Sequence, residues 1–347
     1  MKNIYALSQE ELTASLQEWN IPRFRHDQIW HWLYEKGVQH FSEMNNLPKN
    51  IRSQLEENFV IGQSLIDVEQ QSEDGTIKRL YRLPDGALIE SVLMPYNDGR
   101  RTACISSQVG CAMGCRFCAT GQMGFVRQLS PEEIFEQAFQ FAIQLRAKEE
   151  RLSNIVLMGM GEPFHNYDAV LVAIEMIRER IGIGARKITL STVGLAPKIR
   201  RFAEEGIQVN LAISLHATED EKRSELMPIN KKYSIAELID ACHYYAQKTN
   251  RRITFEWAHI EGQNDHLEEA HRLGKLLKGL DCHINIIPLN PTAGFLGAPS
   301  FSLQPFIDVL ASYGIVATAR VRRGIDIDAG CGQLKSKKEK GLIPSNQ

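Results

Sequence analysis

Residues 104–118 read Cys104-Ile-Ser-Ser-Gln-Val-Gly-Cys111-Ala-Met-Gly-Cys115-Arg-Phe-Cys118, and this stretch decides the fold. Its last eight residues form a C-x3-C-x2-C pattern. Loops this short let three thiolates converge on one metal centre, and Gly110 and Gly114 let the backbone wrap closely around it. Structural zinc normally takes four protein ligands, commonly as two separated pairs. No second C-x2-C and no nearby His pair accompanies this one. Three thiolates suit a [4Fe–4S] cluster in which one iron keeps an open position for a substrate. The other reading of the spacing is a zinc site completed by a distant fourth cysteine.

The rest of the chain frames that motif. Its 347 residues allow two domains, or one large α/β domain with an appendage. With 43% hydrophobic and 24% charged residues the composition is that of an ordinary globular protein, which excludes disorder and collagen-like repetition. No run of about 18 uncharged apolar residues occurs, so no transmembrane helix is expected. The start, MKNIYALSQEEL, has no apolar core of signal-peptide length, and a cytosolic location is expected. In such a reducing compartment seven cysteines do not predict a structural disulfide framework. A formal charge of −2 argues against non-specific coating of nucleic acid, but not against a local patch that grips one RNA.

From residue 104 onward, apolar runs at 104–108, 154–159, 187–192, 209–215, 253–260 and 283–289 alternate with helical patterns. Ile155-Val156-Leu157-Met158 and Leu211-Ala212-Ile213 are continuous, as in strands buried on both faces. The clearest helix is 131–146, with Ser130 as N-cap, Pro131 at the first position and Glu133 completing a capping box. Six strand–helix units predict a parallel barrel that is open, because eight are not there. Residues 1–90 differ: helices at 8–19, 25–36 and 48–58 precede strand-like pieces at 64–72, 77–83 and 87–94. Asp74-Gly75 and Asp85-Gly86 mark the turns between those pieces. This part holds 9 Lys/Arg against 14 Asp/Glu. Arg23-Phe24-Arg25-His26, followed by Trp30, His31 and Trp32, is either a basic-aromatic RNA surface or a small helical core, the latter being commoner. Residues 320–347 hold seven Lys/Arg against three acids. Such a run is a solvated terminus or a contact for RNA phosphates.

C-x3-C-x-φ-C, with Phe117 as the aromatic residue, resembles the cluster motif of radical S-adenosylmethionine (SAM) enzymes. Further stretches narrow the resemblance: MGMGEP (158–163), LSTVG (190–194), ISLHA (213–217), LMPIN (226–230), PLNP (288–291) and GIDIDAGCGQL (324–334). Together with 104–125, and in this order over about two thirds of the chain, they are similar to the RlmN/Cfr group, radical SAM methyltransferases of adenosine in RNA. The resemblance implies an α/β fold: a partial (β/α)6 radical SAM barrel with a small N-terminal α+β accessory domain and a C-terminal catalytic tail. The corresponding division is an accessory, RNA-binding part at 1–90, a core at 91–325, and a cysteine loop with basic tail at 326–347.

The resemblance also implies roles. Cys111, Cys115 and Cys118 would ligate a [4Fe–4S] cluster whose open iron takes the amino and carboxylate groups of SAM. An unactivated aromatic C–H carbon is a poor nucleophile, so the family uses two SAM molecules. The first methylates a cysteine, matched here by Cys331. The second yields a 5′-deoxyadenosyl radical that abstracts hydrogen from the S-methyl group, and the methylene radical adds to the base. A second cysteine, matched by Cys104, helps resolve the protein–RNA adduct through a transient disulfide. Gly330 and Gly332 suit a flexible loop around Cys331, although the family more often has Ala where Gly330 stands. Glu90 matches the carboxylate assigned as general base, a role for which Cys104 competes. Gly161, Glu162, Ser191, Ser214, Leu215, His216 and Asn290 match SAM contacts at the C-terminal ends of the strands. His216 considered alone would be a satisfied core histidine. Cys242 and Cys282 match no family position and are expected to be core thiols.

The implied reaction is methylation of C2 of an adenosine in 23S rRNA, in the peptidyl-transferase region, and of the adenosine 3′ to the anticodon in tRNA. C8 methylation of the same rRNA nucleotide, as in the antibiotic-resistance branch, is the close alternative. A radical SAM enzyme of small molecules or peptides and a non-enzymatic zinc-binding RNA module are the more distant ones. The implied partners are 23S rRNA, tRNA and an electron donor such as flavodoxin or ferredoxin. No membrane is expected, and the chain is expected to be a monomer.

Overall fold

The computed structural model describes residues 1–347 except 291, 293, 321, 322, 328–334 and 336–347. Cys331, Gly330 and Gly332 therefore lie outside the described residues.

Ten strands form one sheet whose spatial order follows the chain. We number them β1 (Leu65–Gln71), β2 (Ile77–Arg82), β3 (Leu88–Pro95), β4 (Arg101–Cys104), β5 (Asn154–Leu157), β6 (Ile188–Thr192), β7 (Asn210–Ser214), β8 (Ile253–His259), β9 (Cys282–Pro288) and β10 (Val316–Ala319). Strands β4 to β10 pair in parallel. Between them run the crossover helices α1 (Pro131–Arg146), α2 (Tyr167–Met176), α3 (Ala196–Glu204), α4 (Ile235–Thr249), α5 (Leu267–Leu276) and α6 (Leu303–Ser312). Six β/α units followed by a seventh strand make a partial (β/α)6 barrel, open because the sheet ends on β10 instead of returning to β4.

Helix α1 spans the expected residues, and Ser130 with Glu133 closes the expected capping box. The first expected strand is displaced: β4 ends at Cys104, and residues 105–107 leave the sheet. The Ile105 amide keeps one bond to Val156 of β5 at 3.0 Å, and Ser106 turns to other partners. The Ser106 hydroxyl donates to the Glu90 carbonyl at 2.5 Å, and its amide donates to Gln137 Oε1 at 2.8 Å. Strands β1–β3 do not form a separate sheet. They pair antiparallel with one another, and β3 pairs antiparallel with β4, so the barrel sheet continues into them. Glu90 lies inside β3.

The N-terminal helices, Gln9–Glu18, Arg23–His31 and Lys49–Asn58, share one apolar core with the barrel, and Tyr5 and Tyr34 meet Phe135 and Phe139 of α1. The second stops short of the expected residue 36, passing at Trp32–Lys36 into a π-helical turn capped by left-handed Gly37. Trp30 and Trp32 are half-buried against that core, as the packing reading requires. Two buried charges close the seam. Glu136 of α1 accepts from Asn3 Nδ2 at 2.5 Å and from the Ser64 amide at 2.9 Å. Arg180, in a second π-helical turn at Ile177–Ile181, donates to the carbonyls of Tyr5 (2.7 Å) and Leu7 (2.8 Å) and to the Tyr34 hydroxyl (3.0 Å). Among the described residues no helix is long and apolar enough to cross a membrane.

Candidate active site

A cavity of about 580 Å³ opens at the C-terminal ends of the parallel strands, where ligands bind in barrels of this kind. Its wall brings together Cys104, Cys118, Gly161, Glu162, Ser191, Ser214, His216 and Asn290, residues spread over nearly 190 positions of sequence.

The cysteine loop lies between the two strands of a short hairpin, Gln108–Gly110 with Phe125–Gln128. Gly110 has φ +75°, and a Cβ there would lie 2.0 Å from the Gly124 carbonyl oxygen, so the loop closes only on glycine. Burial pushes the Cys111 thiol up to about 12 and raises Cys115 and Cys118, and the charges of Cys111 and Cys118 raise Cys115 further. At neutral pH the three are therefore thiols on their own, and they lose their protons only to a cationic centre that binds the sulfurs. Among the described residues no three His, Cys, Asp or Glu side chains are gathered as ligands of a single ion. Three thiol donors on one eight-residue loop fit a [4Fe–4S] cluster, with Cys118 facing the cavity.

The MGMGEP stretch brings its glycines against the loop after β4. At Gly159 a Cβ would meet the Ile105 carbonyl carbon at 2.7 Å. At Gly161, φ +107°, it would meet Gln108 Cβ at 2.6 Å. This close approach lets the Glu162 amide donate to Gln108 Oε1 at 2.7 Å. The Glu162 carboxylate accepts from the amides of Phe164 (3.0 Å) and Val193 (2.8 Å) and still reaches the cavity. Burial pushes its pKa up to about 7. Such a carboxylate welcomes an ammonium group, since a ligand cation restores the stability of its charged form.

Ser191 and Ser214 end β6 and β7 on the cavity wall, and exposed Asn290 stands at its rim just beyond β9. Leu215 differs: its side chain is buried in the main core and does not line the cavity, so only its backbone is available to a ligand. His216 lines the cavity in a left-handed conformation, φ +60°. Its Nδ1 accepts from the Ala258 amide at 2.9 Å, and its ring meets Phe117 edge-on at 4.8 Å. Burial, and then the charge of Arg223, depress its pKa to about 3, so it stays neutral.

Cys104 lies on the wall opposite Val92 in the β3–β4 pairing. Glu90 shares the Val92 face of β3 but does not line the cavity. Its carboxylate is buried in an ion pair with Lys78 Nζ at 2.9 Å and accepts from the Lys335 amide at 2.5 Å. Cys242 and Cys282 are buried in the main core, as expected.

Sequence reasoning missed three buried charged residues here. Glu256, on β8, lines the cavity, and burial raises its pKa. Lys78 reads as an ordinary strand lysine. Arg223 lies three residues before the LMPIN stretch and is wholly buried behind the cavity wall. Only the proximity of Arg223 to LMPIN signalled it, because a single arginine in a charged helix has no pattern of its own.

Comparison with known proteins agrees with this geometry. Residues 105–274 match the radical SAM superfamily model, and residues 2–61 match the ribosomal RNA large subunit methyltransferase N-terminal domain. A dual-specificity RNA methyltransferase RlmN 1 of Myxococcus xanthus is 49% identical over 97% of this chain and 95% of its own. A probable dual-specificity RNA methyltransferase RlmN of Clostridium perfringens is 48% identical over 99% of both. The crystal structure of a radical SAM methyltransferase from Sphaerobacter thermophilus superposes with a TM-score of 0.92 at 46% identity, covering 96% of this chain and 99% of that one.

Proposed function

This chain belongs to the RlmN family of dual-specificity RNA methyltransferases, and on that footing we propose that it methylates C2 of one adenosine in 23S rRNA and of the adenosine 3′ to the anticodon in tRNA. The observation that carries the reading is the single cavity whose wall holds Cys104, Cys118 and Glu162 together. A cluster ligand, a carboxylate suited to the SAM ammonium and a second thiol are the groups that a two-cysteine methyl transfer needs within one space.

The parts are assigned as follows. Cys111, Cys115 and Cys118 hold the cluster, which supplies the electron that cleaves SAM. Glu162 takes the SAM amino group, while Ser191, Ser214, His216 and Asn290, with the backbones of Gly161 and Leu215, hold its carboxylate, ribose and adenine. Cys331 carries the methyl group, and Cys104 resolves the RNA adduct by forming a disulfide with it. Glu90 or Cys104 removes the C2 proton. Glu90 is held by Lys78 Nζ at 2.9 Å, one strand away from Cys104. The N-terminal part and the basic tail share RNA binding, and a flavodoxin- or ferredoxin-like protein donates the electron.

The test is an anaerobic reaction of cluster-loaded protein with labelled SAM, a reductant and protein-free 23S rRNA or tRNA, followed by mass spectrometry of the nucleosides. Formation of 2-methyladenosine is expected. Appearance of 8-methyladenosine, or of no modified adenosine, overturns the C2 assignment.

A further inference from the structure

Arg223 carries a positive charge that, among the described residues, no carboxylate meets in a hydrogen bond or ion pair. It is fully buried, and among the described residues its four hydrogen bonds all go to uncharged oxygens. Nε donates to the Leu215 carbonyl at 3.1 Å and Nη1 to Asn230 Oδ1 at 2.8 Å. The second terminal nitrogen donates to the carbonyls of Val193 (2.7 Å) and Ser214 (2.9 Å). Asp220, three residues before Arg223, makes no hydrogen bond to it: its Oδ1 accepts from Asn230 Nδ2 and from the Ile235 amide, each at 2.8 Å, and its charge favours the ionised guanidinium only from a distance. Burial lowers the Arg223 pKa to about 10, so the guanidinium still holds its proton at neutral pH.

A buried, unpaired cation costs free energy unless something nearby repays it. Three observations indicate what that is. The segment bearing Arg223 packs on the cysteine loop: Leu226 and Met227 share an apolar cluster with Cys115, and the Arg116 amide donates to the Leu226 carbonyl at 2.9 Å. Phe117, which lies between Cys115 and Cys118, meets the His216 ring edge-on at 4.8 Å, and the two residues before His216, Ser214 and Leu215, accept from the guanidinium. The carbonyls that hold the guanidinium belong to Val193, Ser214 and Leu215, so they fix it behind the wall that faces the cluster loop.

We infer that Arg223 is the internal counter-charge of the cluster, a positioning residue that makes the cluster easier to reduce. The inference rests on the reading that Cys111, Cys115 and Cys118 hold a [4Fe–4S] cluster. With three thiolates the centre carries a net charge of −1 in its 2+ state. It takes one electron from an external reductant to reach −2, and no bond is made or broken. A fixed cation favours the more negative product, and in a buried site solvent and salt screen that attraction weakly. Removing the charge must therefore move the midpoint potential to more negative values.

The test is an EPR-monitored potentiometric titration of the full chain, anaerobically reconstituted, with iron and sulfide content verified and neither SAM nor RNA present. At the potential where the unmodified protein is half reduced, Arg223→Gln should lower the reduced-to-oxidised ratio at least tenfold. For one electron that is a shift of 59 mV or more. Arg223→Lys, which keeps the charge, should stay within threefold. Because Arg223→Gln also loosens three loops, Asn230→Asp serves as the second variant: it leaves the arginine in place and sets a carboxylate against it. It too should lower the ratio, and it decides the matter where Arg223→Gln fails to load iron. A loaded Arg223→Gln or Asn230→Asp protein with an unchanged midpoint overturns the inference. Failure of the unmodified protein to take up iron and sulfide overturns the cluster reading instead.

Discussion

Two buried arginines solve the same problem in two regions of the molecule and differ in what surrounds them. Arg180, in the seam, donates to the carbonyls of Tyr5 and Leu7 and lies within 6 Å of the ring centres of Trp30, Tyr34 and Phe135. Its charge is repaid on the spot by carbonyl dipoles and aromatic faces. Among the described residues Arg223 has carbonyls too but no aromatic face over its guanidinium, and the segment that bears it packs on the cysteine loop. The buried glutamates repeat the contrast. Glu136 spends its oxygens on Asn3, Gln63 and Ser64, whereas Glu162 keeps access to the cavity. A site whose charges are satisfied within the protein holds parts together. A site that leaves charge to spare is arranged for something that arrives.

If so, seam substitutions should change stability and leave SAM binding alone, and cavity substitutions should weaken SAM binding. The largest effect is expected from Arg180→Ala, which leaves two carbonyls without a donor and empties the cage. It should cost about 3 kcal/mol in urea unfolding, with SAM affinity unchanged in the protein that remains folded. A loss of SAM affinity at unchanged stability would break the comparison. Next come paired glycine substitutions. Gly161→Ala forces a Cβ against Gln108 at a strained φ and should cost about 2–3 kcal/mol while weakening SAM binding. In the seam, Gly62→Ala meets Tyr5 only at 3.4 Å and should cost about 1 kcal/mol with SAM binding intact. Glu162→Gln should raise the SAM Kd about tenfold, about 1.4 kcal/mol, by equilibrium dialysis of cluster-loaded protein, with the melting temperature unchanged.

The smallest effect is a slope. Burial raises the pKa of Glu136, so the folded chain holds that proton to higher pH than the unfolded chain. Stability therefore falls as pH rises from the ordinary glutamate value through the raised one, and is level above it. Denaturation across that range should show the slope in the unmodified protein. In Glu136→Gln the part of the slope due to this group should vanish.

The parts of the structure legible in sequence were those with a short-range signature. The C-x3-C-x2-C spacing, the Ser130–Glu133 capping box and the continuous apolar strands each report on neighbours a few residues apart. The cavity's outer contacts were legible through motif resemblance, and the structure gathers Glu162, Ser191, Ser214, His216 and Asn290 around one space. Leu215 shows the limit, since a motif position does not say whether side chain or backbone faces the ligand. What sequence did not show was long-range satisfaction of charge. Arg223, Lys78, Glu256 and Arg180 read as surface residues because their partners lie on other elements of the fold. The continuation of the sheet through β3 was likewise hidden, since edge-to-edge pairing leaves no mark in periodicity.

The seam has one further property. Tyr34 and Arg180, which meet across it, each sit in a π-helical turn, and each turn ends at a left-handed glycine, Gly37 and Gly182. A π turn holds one residue more than an α turn, and one residue advances a helix by about 100°. The meeting of these side chains is thus a matter of phase, set by how many residues precede them as much as by which residues they are. Deleting a single residue from Trp32–Lys36 or Ile177–Ile181 would restore a regular helix and turn the following side chains away from their partners. It would do so while every hydrophobic and charged group of the seam was still present.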